Sequence, residues 1–148
     1  MVELKRAKLP MDYDVYVFDL YGTLVDIHTD ESAMAVWDKL SLFYGYYGAT
    51  YTGKALKAAY GKLIRGKEKQ LKSTLEKDPR YSHEASPEIE ITDVFTELFA
   101  AKRIPVEREF AVYTGQFFRI LTTEYVRLYK GTVRMLEQLC AAGKKVYL

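Results

Sequence analysis

Apolar residues are arranged in two ways along this chain, and each arrangement predicts a different element. The run Val15 to Phe18 is uninterrupted and rich in β-branched and aromatic residues, which is typical of a strand covered on both faces. A second extended run covers Lys144 to Leu148. Between these runs, apolar residues recur at helical spacing. The order predicts an α/β fold in which two parallel strands are separated by helices.

Four helices are predicted in the long segment between the strands, because apolar residues recur there at i, i+3, i+4 and i+7. Their expected extents are 33 to between 44 and 48, roughly 53–77, 91–99, and about 106–128. Thr29 or Asp30 is expected to cap the first helix. Pro79 and Pro87 bracket a polar connector between the second helix and the third.

A short fifth helix is predicted before the last strand. Gly131-Thr132 opens it, and Gly143 is placed for the left-handed residue that ends it. Its expected inward residues are Val133, Leu136, Leu139 and Cys140. Cys140 would then be a buried, unreactive thiol.

Composition changes this picture little. The 148 residues are 49% apolar and 28% charged, as in an ordinary globular domain, and a net charge of +2 demands no polyanionic partner. Charge is uneven locally, since eight Lys or Arg lie between Lys54 and Lys77 against Glu68 and Glu76. Solvated helix faces account for such a run. No nucleic-acid motif is present, so no nucleic-acid partner is expected.

The cysteine content and the amino terminus bear on the compartment. A single cysteine excludes an internal disulfide, and no Cys/His cluster has zinc spacing. The first ten residues lack the apolar run of a secretion signal, and no segment reaches the length of a membrane span. We expect a cytoplasmic protein with no membrane partner.

One carboxylate stands out. Asp19 ends the first apolar run and leads directly into Tyr21-Gly22-Thr23. A carboxylate at the end of a strand can attack an electrophilic phosphorus or carbon atom, while nearby backbone N–H groups stabilise the charge that develops. Gly22 lets the chain bend close to a substrate, and the Thr23 hydroxyl can order the turn. The alternative is a carboxylate that only forms the turn.

These residues carry a family resemblance. The sequence FDLYGTLVD, Phe18 to Asp26, resembles the first motif of the haloacid dehalogenase (HAD) superfamily of hydrolases, and LYKGTVRMLEQLCAAGKKVYL resembles the return into its core. The resemblance implies a Rossmann-like core, represented here by its first two strands, in residues 1–27 and 128–148. It also implies an inserted four-helix cap in residues 28–127.

The same resemblance implies a chemistry. Asp19 would be the catalytic nucleophile, with Tyr21, Gly22 and Thr23 forming the turn beside an anionic small-molecule substrate. In the phosphatase branch, Mg²⁺ would be bound by Asp19 and the backbone carbonyl of Tyr21. Oxygen ligands suit Mg²⁺, although one aspartate is insufficient by itself.

Two departures keep the reaction type open. Phosphatases of the family carry a second Asp two residues after the first, and Tyr21 stands at that position. A phenol has a pKa of about 10, so it stays protonated near neutral pH and cannot serve as a base. The version with Tyr at this position resembles the dehalogenase branch instead. Dehalogenases, however, use an arginine in the cap, and no Arg occurs from Ile27 to Lys62.

Three further motifs of the family would follow Leu148, so we expect this chain to be the amino-terminal portion of a longer hydrolase and inactive by itself. A different class of function stays open, namely a non-catalytic helical interaction module that uses the basic segment Lys54 to Lys77. His28 is expected to be solvated, and the aromatic residues around Trp37 are expected to pack in a core.

Overall fold

The computed structural model describes residues 13–81 and 88–148. In chain order the elements are β1 Val15–Val17, β2 Val25–Thr29, α1 Met34–Tyr46, α2 Gly53–Leu75, α3 Ile91–Ala100, α4 Arg108–Thr122, β3 Thr123–Leu128, α5 Thr132–Ala141 and β4 Lys145–Tyr147. They form two compact units, which we call the strand unit (described residues 13–28 and 124–148) and the helical unit (described residues 29–81 and 88–123).

The predicted parallel pairing of the first and last strands is confirmed. β1 and β4 form a parallel two-stranded sheet in which Val15, Tyr16 and Val17 lie beside Lys145, Val146 and Tyr147. The expectation that β1 is covered on both faces is wrong, since Val15 and Val17 are 49% and 74% exposed. Within the described part of the chain, β4 is the one strand paired with β1. The apolar side chains of β1 therefore lack a covering layer.

β2 and β3 form a second two-stranded sheet, which the sequence did not predict. The amide of Asp30 donates to the carbonyl of Thr122, and the amide of Tyr129 donates to the carbonyl of Leu24. These bonds lie at opposite ends of the pair and set the strands antiparallel. The fourth helix therefore ends at Thr122, and its predicted continuation to Leu128 is wrong because those residues are extended.

The helical unit is built on an aromatic core. Trp37 and Tyr44 of α1 and Phe95 and Phe99 of α3 are almost completely buried. The rings of Tyr44 and Phe99 stack at 4.1 Å between centroids, and Trp37 lies 5.2 Å from Phe118 of α4. These contacts confirm that Trp37 and Tyr44 pack in a core, while Tyr46 is exposed.

The helix ends show where local chemistry differed from expectation. α1 begins after Ala33, which makes no side-chain cap, and Asp30 instead accepts a hydrogen bond from the Ser32 amide. The predicted cap at Thr29 or Asp30 is thus wrong, because β2 keeps the chain extended through Thr29. Thr52 caps α2 by accepting from the Ala55 amide. Pro87 lies outside the described residues.

α5 occupies the predicted place, and Gly143 after it has a φ of 72°. Its buried residues are Thr132 and Leu139. Cys140 is a free, exposed cysteine, so its expected burial is wrong, and Val133 is likewise exposed. None of the helices in residues 13–81 and 88–148 combines the length and apolarity needed to cross a membrane.

Candidate functional site

Asp19 lies just beyond the carboxyl end of β1. The amide of Phe18 donates to the carbonyl of Tyr147 at 2.9 Å, which continues the β1–β4 pairing one residue past β1. Asp19 then leaves the sheet with an exposed side chain. Its carboxylate makes no hydrogen bond or ion pair with any residue of the described ranges. The side chain is therefore open to an approaching molecule.

A compact turn follows Asp19. The carbonyl of Leu20 accepts from the amides of Leu24 and Val25, both at 2.9 Å, and the amide of Gly22 donates to the carbonyl of Val25 at 2.8 Å. Gly22 has a φ of 78°, in the left-handed region that favours glycine. Leu24 and Val25 are buried. Backbone hydrogen bonds close this turn and fix the path of the chain after Asp19.

The turn leaves polar groups exposed. In the described structure, the amides of Leu20 and Tyr21 donate to no other residue. The hydroxyl of Thr23 likewise has no partner among the described residues, so the turn forms without the hydroxyl bond expected of Thr23. The side chain of Tyr21 is exposed. Free amide groups beside a carboxylate are suited to stabilising an anion.

A contact with the α5 region holds this turn in place. The Leu24 carbonyl accepts from the buried hydroxyl of Thr132 at 3.1 Å and from the amide of Tyr129 at 3.2 Å. Leu24 and Thr132 are 108 residues apart in sequence. Sequence reasoning placed Thr132 only at the start of a helix and missed this bond. The structure thus fixes the turn after Asp19 against the segment that enters α5.

Charged side chains join β2 to β3. Arg127 Nε donates to Asp26 Oδ2 at 2.8 Å, and the same guanidinium group lies 4.4 Å from the centre of the Tyr125 ring. The hydrogen bond to Asp26 raises the pKa of Arg127. The motif contains Asp26, but no local pattern pointed to Arg127 as its partner, because the contact spans 101 residues.

His28 is part of the same array and is not merely solvated. Its ring stacks on Tyr125 at 5.6 Å between centroids, and its Nε2 atom lies 3.6 Å from Glu124 Oε2. The pair becomes an ion pair when the imidazole is protonated. Asp26, His28, Tyr125 and Arg127 therefore form a polar array on the β2–β3 sheet.

The residues of the strand unit fit Mg²⁺ poorly by themselves. Asp19 supplies one carboxylate and Tyr21 one backbone carbonyl, whereas Mg²⁺ takes six oxygen ligands, some of them waters. Among the described residues no group of three or more His, Cys, Asp or Glu could hold a metal ion. The donor set is incomplete within these ranges, so no reaction step below depends on a metal.

A shallow groove of about 390 Å³ lies elsewhere, in the helical unit. It follows the later part of α2 and is lined by Lys67, Gln70, Leu71, Thr74, Glu88, Ile89 and Glu90. None of the predicted site residues lines it.

Comparison with family models settles the ancestry that this motif indicates. Residues 13–148 match the model of the haloacid dehalogenase-like hydrolases. The chain belongs to the haloacid dehalogenase-like hydrolase family. The match runs from before β1 to the end of β4, so it includes the helical unit as well as the turn after Asp19.

Membership in the haloacid dehalogenase-like hydrolase family confirms the resemblance read from Phe18 to Asp26. It implies a hydrolase acting on a small-molecule substrate. Comparisons with curated proteins and with solved structures found no match. Family membership leaves open whether phosphoryl esters or halogenated acids are attacked.

Proposed function

We propose that Asp19 is the nucleophile of a hydrolytic reaction on a small anionic molecule. The observation that carries the proposal is the exposed carboxylate just beyond β1, which has no partner among the described residues. It is followed by a turn in which the Leu20 and Tyr21 amides likewise donate to none of those residues. A carboxylate without a cationic partner keeps its lone pairs available for attack. The amides after it can donate to an anionic substrate.

The proposed reaction has two steps. An oxygen of Asp19 forms a bond to phosphorus while the bond to the leaving oxygen breaks, and the leaving group departs with the bonding electron pair. Water then attacks the aspartyl phosphate, which releases phosphate and restores the carboxylate. On a halogenated acid, the same oxygen attacks carbon and halide leaves, and water hydrolyses the resulting ester.

Tyr21 restricts which leaving groups depart readily. In the phosphatase branch, the residue two positions after the nucleophile protonates the leaving alcohol, and a phenol does this less well than a carboxylic acid. A halide or a stabilised phenolate needs no such proton. We therefore propose that the chain prefers substrates with weakly basic leaving groups.

The experiment compares three substrates with the full chain: 4-nitrophenyl phosphate, an alkyl phosphate and a 2-haloacid. Turnover is expected with the first or the third and not with the second. Asp19→Asn should abolish it, because the amide oxygen is a poor nucleophile. Asp14→Asn is the matched control, since Asp14 is also exposed and precedes β1 but pairs with Lys144.

Mass spectrometry of the quenched reaction adds a second readout. With the phosphate ester, the peptide containing Asp19 should gain the mass of a phosphoryl group. With the haloacid, it should gain the mass of the haloacid less that of the hydrogen halide. Turnover that survives Asp19→Asn would contradict the proposal.

A second candidate rests on the exposure of the basic side chains of α2. In the segment Lys54 to Lys77, six of eight basic residues are exposed: Lys54, Lys62, Arg65, Lys69, Lys72 and Lys77. Lys67 differs, because it lies 2.7 Å from Glu97 and is mostly covered. This exposed charge would suit a polyanionic partner of a non-catalytic interaction module.

Binding to a sulfated polysaccharide at increasing salt tests this second function. Replacing Lys69 and Lys72 with alanine should weaken binding and reduce its dependence on salt. Lys67→Ala is the control and should leave binding unchanged, since Glu97 already neutralises Lys67. Equal losses in both variants would count against a specific basic face.

A further inference from the structure

The outer side of α1 is unusually apolar for a helix in contact with water. Asp38 and Lys39 are its charged residues, and the exposed residues Leu42 and Tyr46 follow them at helical spacing. A surface helix normally carries polar residues opposite its core-facing stripe, and a helix that is apolar on all sides is normally covered. Leu42 and Tyr46 thus place large apolar side chains on the outer side of α1, next to the charged residues Asp38 and Lys39.

α4 continues this surface. Phe43 of α1 lies 5.0 Å from Phe117 and 5.9 Å from Phe110, while Tyr47 lies 4.6 Å from Phe110. Tyr113 and Ile120 are exposed on α4, three residues after Phe110 and Phe117 respectively, and so lie beside these rings. We call this surface the α1/α4 face and define it by Leu42, Phe43, Tyr46, Tyr47, Phe110, Tyr113, Phe117 and Ile120.

We propose that the α1/α4 face binds the same face of a second copy of this chain. Its most exposed residues have large solvent-exposed fractions: Leu42 75%, Tyr46 85%, Tyr113 63% and Ile120 71%. At about 150–250 Å² for a large side chain, the exposed apolar area of the face is roughly 600 Å². A standard interface buries about 800 Å² per partner, rim included, so the face is of the size that a stable dimer needs.

Charge favours a second copy over a polyanion or a lipid surface. Asp38 lies four residues before Leu42, Lys39 lies three residues before Leu42, and Glu109 lies four residues before Tyr113. None of these three residues forms an ion pair within the described part of the chain. Unpaired charges of both signs at the edge of an apolar face can pair with each other across a two-fold axis. A polyanion or an acidic membrane would require an excess of basic residues.

The face is also formed in a way that suits self-association. Contacts of Tyr47 with Phe110 and of Trp37 with Phe118 show that α1 and α4 run antiparallel. Two such helix pairs can pack face to face as a four-helix arrangement. Tyrosine is enriched at such interfaces, because its ring packs while its hydroxyl stays hydrated.

Sedimentation velocity over a range of concentrations tests the proposal on the full chain. The wild-type chain should show a monomer–dimer equilibrium, and Tyr46→Glu or Ile120→Glu should each raise the dissociation constant at least tenfold. Tyr81→Glu is the matched control, because Tyr81 is an exposed tyrosine of the helical unit outside the face. Circular dichroism checks that each variant retains its helices.

A further variant separates this surface from the exposed β1–β4 sheet. Val17→Glu should leave the dissociation constant unchanged, since Val17 lies in the strand unit. A wild-type chain that stays monomeric would overturn the proposal. So would association that Val17→Glu or Tyr81→Glu removes and Tyr46→Glu does not, because the contact would then lie elsewhere.

Discussion

The guanidinium group of Arg127 lies 2.8 Å from the carboxylate of Asp26, although the two residues are 101 positions apart. The pair links β2 to β3 and thus the residues that follow the Asp19 turn to those that precede α5. An exposed ion pair contributes little by itself. Its significance is geometric, because it sets one particular alignment of two short strands.

Asp26→Asn should lower the melting temperature by a small amount, and the difference should shrink at high salt because exposed ion pairs are screened. The pKa of Arg127 should return toward its ordinary value as the hydrogen bond weakens. Asp78→Asn is the control, since Asp78 pairs with Arg80 only two residues away. Calorimetry at two salt concentrations measures both, and equal effects would argue against a role for Asp26 in joining the strands.

Gly22→Ala should destabilise the chain by about 1–2 kcal/mol, because an L-residue at a φ of 78° is strained. The space around Gly22 is open, so no collision adds to this cost. Gly66→Ala is the matched control: its surroundings are equally open but it lies within α2, where alanine should stabilise by up to about 1 kcal/mol. Urea unfolding of both variants should give shifts of opposite sign.

Thr132→Val should cost about 1 kcal/mol of unfolding free energy, since it removes a buried hydrogen bond to Leu24. Because this bond holds the turn after Asp19, turnover should fall as well. Thr114→Val serves as control, since its hydroxyl bonds only to Phe110 within α4. A loss of turnover in Thr114→Val equal to that in Thr132→Val would show that the turn is not the cause.

Alkaline pH should unfold the helical unit through its buried tyrosines. Burial raises the pKa of Tyr44, with a smaller effect from Tyr51, and burial also raises the pKa of Tyr60. A raised folded-state pKa gives stability that is fully present below the unfolded value of about 10 and is lost as pH rises above it.

Tyr44→Phe should therefore reduce the loss of stability above about pH 10. At neutral pH the substitution should change the stability little, because the Tyr44 hydroxyl donates only a long hydrogen bond of 3.4 Å to the Phe95 carbonyl. Tyr81→Phe, at an exposed position outside the α1/α4 face, is the control and should leave the alkaline loss unchanged. Denaturant titrations at several pH values measure the difference. Identical alkaline profiles for Tyr44→Phe and the wild type would contradict this role of burial.

Tyr21→Asp should accelerate hydrolysis of alkyl phosphates, because it places a general acid two residues after Asp19, the proposed nucleophile. Such groups contribute about 10² to 10⁴ in rate, and we expect at least a tenfold gain in this imperfect setting. Tyr21→Asn introduces a side chain of about the size of Asp but without a carboxyl group, so it should give no gain in rate. Initial rates at pH values from about 5 to 8 measure both, and a gain in Tyr21→Asn would show that an acid is not responsible.

Elements defined by local patterns were predicted well. The helical spacing of Ile91 to Phe99 and the glycine at 143 marked α3 and the end of α5 close to where the structure has them. Local chemistry also pointed to Asp19, because a lone carboxylate after an apolar run is visible without any knowledge of distant contacts. The family match confirms the motif that contains it.

Features set by distant partners were missed. Leu121, Tyr125 and Leu128 continue the helical spacing of α4, yet residues after Thr122 pair with β2 and become extended. On α5 Leu139 is buried as expected, but Thr132 is buried where Val133 was expected to be, and Cys140 is exposed. The hydrogen bond from Thr132 to Leu24 was missed for the same reason, since the sequence near either residue does not predict it.

The amide of Asp30 and the carbonyl of Thr122 are 2.8 Å apart, so the four-helix segment enters and leaves at a single point. Because its two ends lie side by side, this segment is an insertion that can change without altering the strands around it. Natural variation can enlarge, shrink or exchange it without lengthening either connection, and a protein engineer could replace it with a tight β-turn.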